Sequence, residues 1–350
     1  MSDHYLGIDL HKRSSTWVLL DHERKTRLKR TVTCTPEQVR AAVKMLPVEP
    51  TSVQVAIEPV CGWRWFTGIL IESGMDVRIA NPAKTRLIAE SRLKHDALDA
   101  LMLAELLRSG FLPESYRAPE DIARLRSIFR ERAFLVHMRV NVLCRLHGLI
   151  GRRGLHLTMH NPARVAGRAE IQESGDPELI EMLCLIDELD AHVKPLTAQI
   201  GQLARSLPIP KLLMTMPGVG TITALAIYAE VGDFSRFLGA EKLTAYAGLV
   251  PSQRSSGQRV RGGHITKMGS EFLRTSVIEA AFRIRACSDE RLWSFYTRLV
   301  PTCGARRARV ALARKMLLIL WHMVKRNTPY LPLLSDSAPK RADLVSSLAH

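Results

Sequence analysis

Short apolar runs separated by turn residues fill roughly the first hundred positions of the chain. Tyr5 to Leu10 and Thr16 to Leu20 alternate like two strands of a hairpin joined through His11 to Ser15, and Lys29 to Cys34 reads as a third strand. Ser52 to Ile57, bounded by Pro50 and Pro59, reads as a fourth, and Asp76 to Ala80 as a fifth. Between and after them, Trp63 to Ser73 has helical spacing, and Asp96 to Ser109 is a helix with a face of Ala and Leu. Three strands followed by helix-separated strands predict a mixed sheet with helices packed on it, an α/β domain over residues 1–115.

From Pro119 to Leu207 the pattern turns helical, interrupted around Gly151 to Gly175. Met182, Ile186, Leu189, Val193, Leu196, Ile200, Leu203 and Leu207 repeat in steps of four and three, and Ile128, Leu135, Val142 and Leu149 in steps of seven. Such seams predict a coiled-coil region over residues 116–207, either a hairpin within one chain or a dimer contact, with Pro195 kinking or breaking its second helix. After Pro208-Ile209-Pro210 a third region, residues 208–330, is mainly α-helical. Its last strong element is Arg306 to Lys325, which carries Arg306, Arg307, Arg309, Arg314 and Lys315. The Pro- and Ser-containing stretch from Thr328 reads as a tail, filling residues 331–350.

Composition narrows the partners. The 350 residues are 46% hydrophobic, which suits globular domains with real cores, and 50 Lys plus Arg against 34 Asp plus Glu give a net charge of +16. Such a surface attracts a polyanion, nucleic acid first. No apolar run of about 18 residues spans a bilayer and no leader opens the chain, which points to the cytosol. Cys34, Cys61, Cys144, Cys184, Cys287 and Cys303 form no Cys-x-x-Cys pair, so they read as reduced packing residues.

Four acids stand where acids are costly or close together. Asp9 lies within the apolar strand Tyr5-Leu-Gly-Ile-Asp-Leu10, and Glu58 ends the strand Val53-Gln-Val-Ala-Ile-Glu58 just before Pro59. Both need a partner, and a metal ion is one. Asp96 and Asp99 are three apart at the start of a helix, hence on one face. Singly, an Asp at a strand end is usually a turn former and an Asp at a helix start a cap. Together, the four suit hard divalent cations in phosphoryl transfer, which take oxygen ligands and flank the attacking and leaving oxygens.

Two later segments carry candidate chemistry. In Met214-Thr-Met-Pro-Gly-Val-Gly-Thr221, Gly218 and Gly220 either let backbone amides approach a phosphate or simply shape a turn between helices. Ser252-Gln-Arg-Ser-Ser-Gly-Gln-Arg-Val-Arg-Gly-Gly-His264 reads as a polar loop in which Arg254, Arg259, Arg261, His264 and the nearby Lys267 surround a phosphate. On residue types alone its serines are turn formers, because no His-Asp pair is evident to activate one.

The segments Gly7-Ile-Asp-Leu-His-Lys12, Ala56-Ile-Glu-Pro59 and Lys94-His-Asp-Ala-Leu-Asp-Ala100 resemble the Asp-Glu-Asp-Asp motif of the IS110 insertion-sequence transposases, the DEDD recombinases. Pro217-Gly-Val-Gly220, Ala247-Gly-Leu-Val-Pro251, Ser256-Gly257 and Lys267-Met-Gly269 with Leu273-Arg274 resemble the second, transposase domain of the same family. The resemblance implies an RNase H-like (RuvC-like) fold with magnesium, or manganese, held by Asp9, Glu58, Asp96 and Asp99. It also implies a serine nucleophile, matched here by Ser255 with Ser256 the adjacent alternative. It further implies donor and target double-stranded DNA, a structured guide RNA that pairs with both, and a homo-oligomer. Gly218, Gly220, Arg254, Arg259, Arg261, Lys267 and Arg274 are the expected nucleic-acid contacts. Two rival expectations are a RuvC-like junction nuclease without a covalent step and a nucleic-acid-binding scaffold whose acids are structural.

Overall fold

The structure, a computed structural model, describes residues 3–60, 62–88, 96–156, 161–256, 259–284 and 289–331, without the side chains of Leu87 and of residues 253–262. Cys61, Lys94, His95, Cys287 and residues 332–350 of the expected tail lie outside the described residues, whereas Tyr330, just after the expected start of the tail at Thr328, is buried with its hydroxyl donating to Asp289. The chain divides into two compact units, Met1–Arg117 and Ala118–His350.

The first unit opens with an antiparallel meander of β1 (His4–Leu10), β2 (Ser14–Asp21) and β3 (Thr26–Thr33). There follow α1 (Pro36–Lys44), β4 (Val53–Ile57), α2 (Trp63–Glu72), β5 (Asp76–Ile79), α3 (Pro82–Ile88) and α4 (Asp96–Arg108). The strands lie in the order β3-β2-β1-β4-β5, with β1, β4 and β5 parallel, so the expected mixed sheet is present. β3 starts at Thr26 instead of Lys29: it is a largely exposed edge strand, and polar edge residues leave no apolar alternation to read. Helix α1 escapes the periodicity because it buries only Val39, Ala42 and Val43, although its start is marked by the Thr35 side chain accepting from the Gln38 amide and by Pro36.

Strand alternation divides the sheet into two faces. Leu6, Ile8, Leu10, Trp17, Leu19, Val53, Val55 and Ile57 pack with Val39 of α1 and with Phe66 and Leu70 of α2. Trp17 is fully buried there, its indole N–H donating to Ser15 Oγ at 2.9 Å. The opposite face receives α4, whose Ala100 and Ala104 meet Val18 and Leu20 and whose Leu103 and Leu107 meet Ala56 and Ala80. Gly7 lies on this face. A Cβ there would stand 1.9 Å from the Ala100 carbonyl oxygen and 2.6 Å from the Ala104 nitrogen, so the α4 backbone rests directly on β1.

The second unit contains α5 (Glu120–Arg152), α6 (Val165–Ser174), α7 (Pro177–Ser206), α8 (Pro208–Leu213), α9 (Thr221–Val231) and α10 (Ala240–Tyr246). After them come β6 (Pro251–Ser256), β7 (Arg259–Ile265), α11 (Glu271–Arg283), α12 (Glu290–Cys303) and α13 (Ala305–Arg326). α5 and α7 form an antiparallel pair within the chain. At one end Leu146, Leu149 and Ile150 pack on Leu179, Leu183 and Ile186; farther along, Arg139 grips Asp190 at 2.6 Å and Arg132 donates to Thr197 Oγ1 at 2.7 Å. α7 continues through Pro195 without a break. By length and composition alone α5 could cross a membrane. The two arginines that interrupt its apolar stretch are both paired with acids of α7, Arg139 with Asp190 and Arg145 with Glu178. From Arg130 to Arg145 no residue of α5 is buried, and Phe134 is 62% exposed.

The remaining helices enclose a core that includes Met216, Ile227, Phe234, Leu243, Leu273, Val277, Leu312 and Leu317. At its edge sits Glu230, whose side chain is 1% exposed. Arg130 of α5 grips its carboxylate at 2.9 and 3.0 Å, Ser270 Oγ donates to Oε2 at 2.8 Å, and Arg126 and the Tyr246 hydroxyl donate to its backbone carbonyl. The two ends of the Arg130–Glu230 pair are unequal. Arg130→Met strands a buried carboxylate and is expected to cost about 3 kcal/mol, whereas Glu230→Gln keeps hydrogen-bonding atoms in place beside a half-exposed arginine and costs about 1 kcal/mol. Urea unfolding of the two variants measures the asymmetry; equal losses would contradict it.

Candidate active site

Asp9 and Glu58 are placed by strand register. Ile8 pairs with Ile57 in the parallel β1–β4 ladder, so the next residues, Asp9 and Glu58, stand at neighbouring strand ends. Alternation puts both on the face of Gly7 and Ala56, the face that α4 covers with Asp96 and Asp99 in its first turn. All four acids therefore belong to one side of the sheet, at the end of β1.

Within that group the packing is uneven. The Asp9 side chain is 15% exposed, and its Oδ2 is buried with no hydrogen-bond partner among the described residues. His11 Nε2 lies 3.1 Å from this oxygen and 3.6 Å from Asp96 Oδ2, close enough for charge attraction although the ring N–H is not aligned on Asp9. One ligand atom from each of Asp9, His11 and Asp96 falls within 4.8 Å of the others. Burial pushes the Asp9 carboxyl above the ordinary aspartate range, His11 opposes this, and the neighbouring charges of Asp96 and Asp99 add to it. Asp99 thus acts on Asp9 through its charge, while Glu58, partly buried at the neighbouring strand end, is not one of the gathered residues. A buried carboxylate oxygen without a donor, in a group of like charges, fits a divalent cation held by oxygen ligands.

In the second unit the sequence predicts a polar loop at residues 252–264, and the structure has the β6–β7 hairpin instead. Its alternation was illegible because Ser, Arg and Gly occupy both faces. Ser255 pairs with Val260 and Ser256 with Arg259, which puts both serines next to the hairpin tip; their side chains and those of Arg254, Arg259 and Arg261 lie outside the described ones. The base is clamped. Ser252 Oγ donates to the His264 carbonyl at 2.9 Å, and Arg274 Nη1 donates to the carbonyls of Ala247 and Lys267. Gly248, at φ 68°, lets the Lys267–Met268 backbone approach where a side chain would collide. Arg274 is thereby engaged in holding the hairpin base, while His264 and Lys267 are exposed.

The glycine turn before α9 has its own logic. Gly218 has φ 80°, and a Cβ on it would stand 2.5 Å from the Ala280 carbonyl of α11, so packing alone requires glycine. Gly220 ends the turn at the N-terminus of α9, and a concave surface there is lined by Met214 to Gly220 and Arg283.

A family model for the transposases of IS110 type with the DEDD motif matches residues 6–152, and the model described as transposase IS116/IS110/IS902 family matches residues 210–297. The chain belongs to the IS110 family of transposases. It is 29% identical over 314 residues to a probable family 20 transposase of Pseudomonas aeruginosa, covering 86% of this chain and 92% of that protein. It is 27% identical over 316 residues to the transposase for insertion sequence element IS1111A of Coxiella burnetii, covering 84% of each. Over 288 residues it is 25% identical to the transposase for insertion sequence element IS1328 of Yersinia enterocolitica, covering 79% of this chain and 85% of that one. An IS110-family chain is an enzyme that cuts and rejoins DNA, and the DEDD domain implies an RNase H-like fold, with which the mixed sheet of the first unit agrees. The first match spans all four acids; the second spans the glycine turn, the serine hairpin and α11.

Three residues of this transposase went unassigned in the sequence. His11 stands in the same motif as Asp9, two positions on, a spacing that in an extended chain keeps both on one side. Gly7 breaks a strand of otherwise large residues, a sign of close backbone approach. Glu230 is an acid within an apolar helix, the same signal that Asp9 gives in its strand, but here the half-exposed Arg130 and Ser270 satisfy it.

Proposed function

We propose that the protein moves its own insertion element as a site-specific recombinase in a bacterial or archaeal cytosol. In this reading Asp9, Glu58, Asp96 and Asp99 hold magnesium, or manganese, and Ser255 is the nucleophile. The buried Oδ2 of Asp9, on which no donor among the described residues is aligned, beside Asp96 carries the reading, because the nearby His11 ring only partly offsets the burial of that carboxylate. Divalent ions bound there supply positive charge to a DNA phosphate and its leaving oxygen. The chain's own groups do the rest: the β6–β7 hairpin carries Ser255 next to its tip, and Arg254, Arg259, Arg261 and Lys267 neutralise the phosphate. The amides around Gly218 and Gly220 with Arg283 receive a backbone phosphate, and Arg274 steadies the hairpin. The serine oxygen attacks phosphorus and a sugar oxygen leaves with a proton. A sugar hydroxyl of the second strand later attacks the same phosphorus and releases the serine, so the phosphodiester count is conserved.

A structured guide RNA selects the DNA by base pairing, which suits a net charge of +16 spread over a chain that must hold two kinds of backbone. A second copy of the chain covers the unburied middle of α5, where Phe134, Met138 and Val140 are exposed. The test uses DNA labelled at the element junction, incubated with the intact protein, its RNA and magnesium, then denatured and digested. The expected result is labelled DNA covalently attached to a peptide containing Ser255. Cleavage without attachment would instead mean hydrolysis by a junction nuclease, and absence of any cleavage a binding scaffold. Attachment mapped to Ser256 would move the nucleophile by one residue.

A further inference from the structure

We infer that His11 is a direct ligand of the metal ion at the four acids, through Nε2, and that this nitrogen biases the site toward manganese over magnesium. The inference rests on the proposed metal role of the acids and adds to it a residue outside the Asp-Glu-Asp-Asp set.

The backbone fixes where His11 stands. It follows β1 directly, in a turn closed by the His11 amide donating to the Ser14 carbonyl at 2.8 Å. The end of β3 pins the same turn, the Cys34 amide donating to the Arg13 carbonyl at 2.9 Å and the Cys34 thiol to the His11 carbonyl at 3.5 Å. From this anchored turn the imidazole reaches back over the site, with Nε2 3.1 Å from Asp9 Oδ2 and 3.6 Å from Asp96 Oδ2. Among the described residues no donor is aligned on Oδ2, although Nε2 lies close enough to attract it. Nitrogen and two carboxylate oxygens converge on a common space, each ligand atom within 4.8 Å of the others, the separation expected of atoms that share one ion at a little over 2 Å apiece. The ring is also half-exposed, and Asp96 more so, which leaves this side open to an entering ion.

The donor set has a chemical consequence. Magnesium demands near-ideal octahedral oxygen coordination and gives up water reluctantly, whereas manganese accepts a mixture of carboxylate and imidazole. A site built from Asp9, His11 and Asp96 gains affinity for manganese from its nitrogen and gains little for magnesium.

The experiment is manganese titration of the full-length protein without nucleic acid, followed by electron paramagnetic resonance, with pulsed detection of nitrogen coupling to the bound ion. The wild-type protein is expected to show nitrogen coupling that disappears in His11→Gln. In that variant the Kd for manganese rises about 10- to 100-fold and the Kd for magnesium by less than about 3-fold. Manganese bound with an affinity that Asp9→Asn abolishes, but without nitrogen coupling in the wild type, would overturn the role of His11 and leave the acids as ligands. Manganese binding indifferent to Asp9→Asn would overturn the metal reading beneath it. Because nitrogen coupling is read on the unaltered chain, the result does not depend on the folding of a variant.

Discussion

Asp9→Asn is expected to lower DNA strand exchange about 1000-fold or more while leaving nucleic-acid binding and the fold intact. Loss of one ion ligand removes several kcal/mol of charge stabilisation from the transition state, and each 1.36 kcal/mol is about tenfold in rate. The fold should tolerate the change unusually well. In the ion-free protein Asp9 is held above its ordinary pKa range by burial and by the charges of Asp96 and Asp99, so a neutral amide of the same shape relieves repulsion. Thermal unfolding without metal should therefore show Tm unchanged or raised, and a filter-binding or gel-shift titration should show the same affinity for DNA. A variant that lost stability along with activity would mark Asp9 as structural, and one that still exchanged strands would remove it from the site.

Gly7→Ala is expected to disable the same site without touching an acid. The added methyl would stand 1.9 Å from the Ala100 carbonyl oxygen, a backbone atom that no rotamer can move aside. α4 must lift off β1, and Ala100, Leu103 and Ala104 lose their contacts with the sheet. A backbone-on-backbone collision of this kind belongs with the rare large effects, about 4 kcal/mol or more, in a protein whose whole stability is of the order of 10 kcal/mol. Denaturant unfolding measures the loss. In any molecules that remain folded Asp96 moves away from Asp9, so divalent-ion affinity should fall with stability. A Gly7→Ala protein with wild-type stability would show that α4 does not rest on β1 as described.

What could be read from the sequence follows from where burial leaves a pattern. β1, β2 and β4 alternate or run apolar because both sheet faces are covered, and the acids at Asp9 and Glu58 stood out against that background. α4 was legible from its Ala and Leu face. β3 reads short because its exposed edge carries no apolar code, and α1 is invisible because three buried residues make too weak a stripe. The β6–β7 hairpin reads as a loop for a different reason: its strands hold Ser, Arg and Gly where alternation would need apolar residues. Heptad spacing leaves open whether a partner helix comes from the same chain or a second one; within the chain, Arg139 of α5 meets Asp190 of α7. As for the site, carboxylates on one face could be inferred from register and helix spacing. The convergence of His11 on Asp9 could not, since it depends on how the turn after β1 is pinned by Cys34.

The Glu230 cluster anchors α5 at one end. Arg126 and Arg130 fasten α5 near its start, and the same carboxylate holds Ser270, which caps α11 just after the hairpin base. From Arg130 to the end of α5 at Arg152 is about 33 Å at 1.5 Å per residue, so the helical pair reaches far from this anchor. The start of the helical pair and the helix that follows the foot of the Ser255 strand pair are thus tied at one place, by the Glu230 carboxylate and by Phe129 and Arg130 against the Phe272 ring.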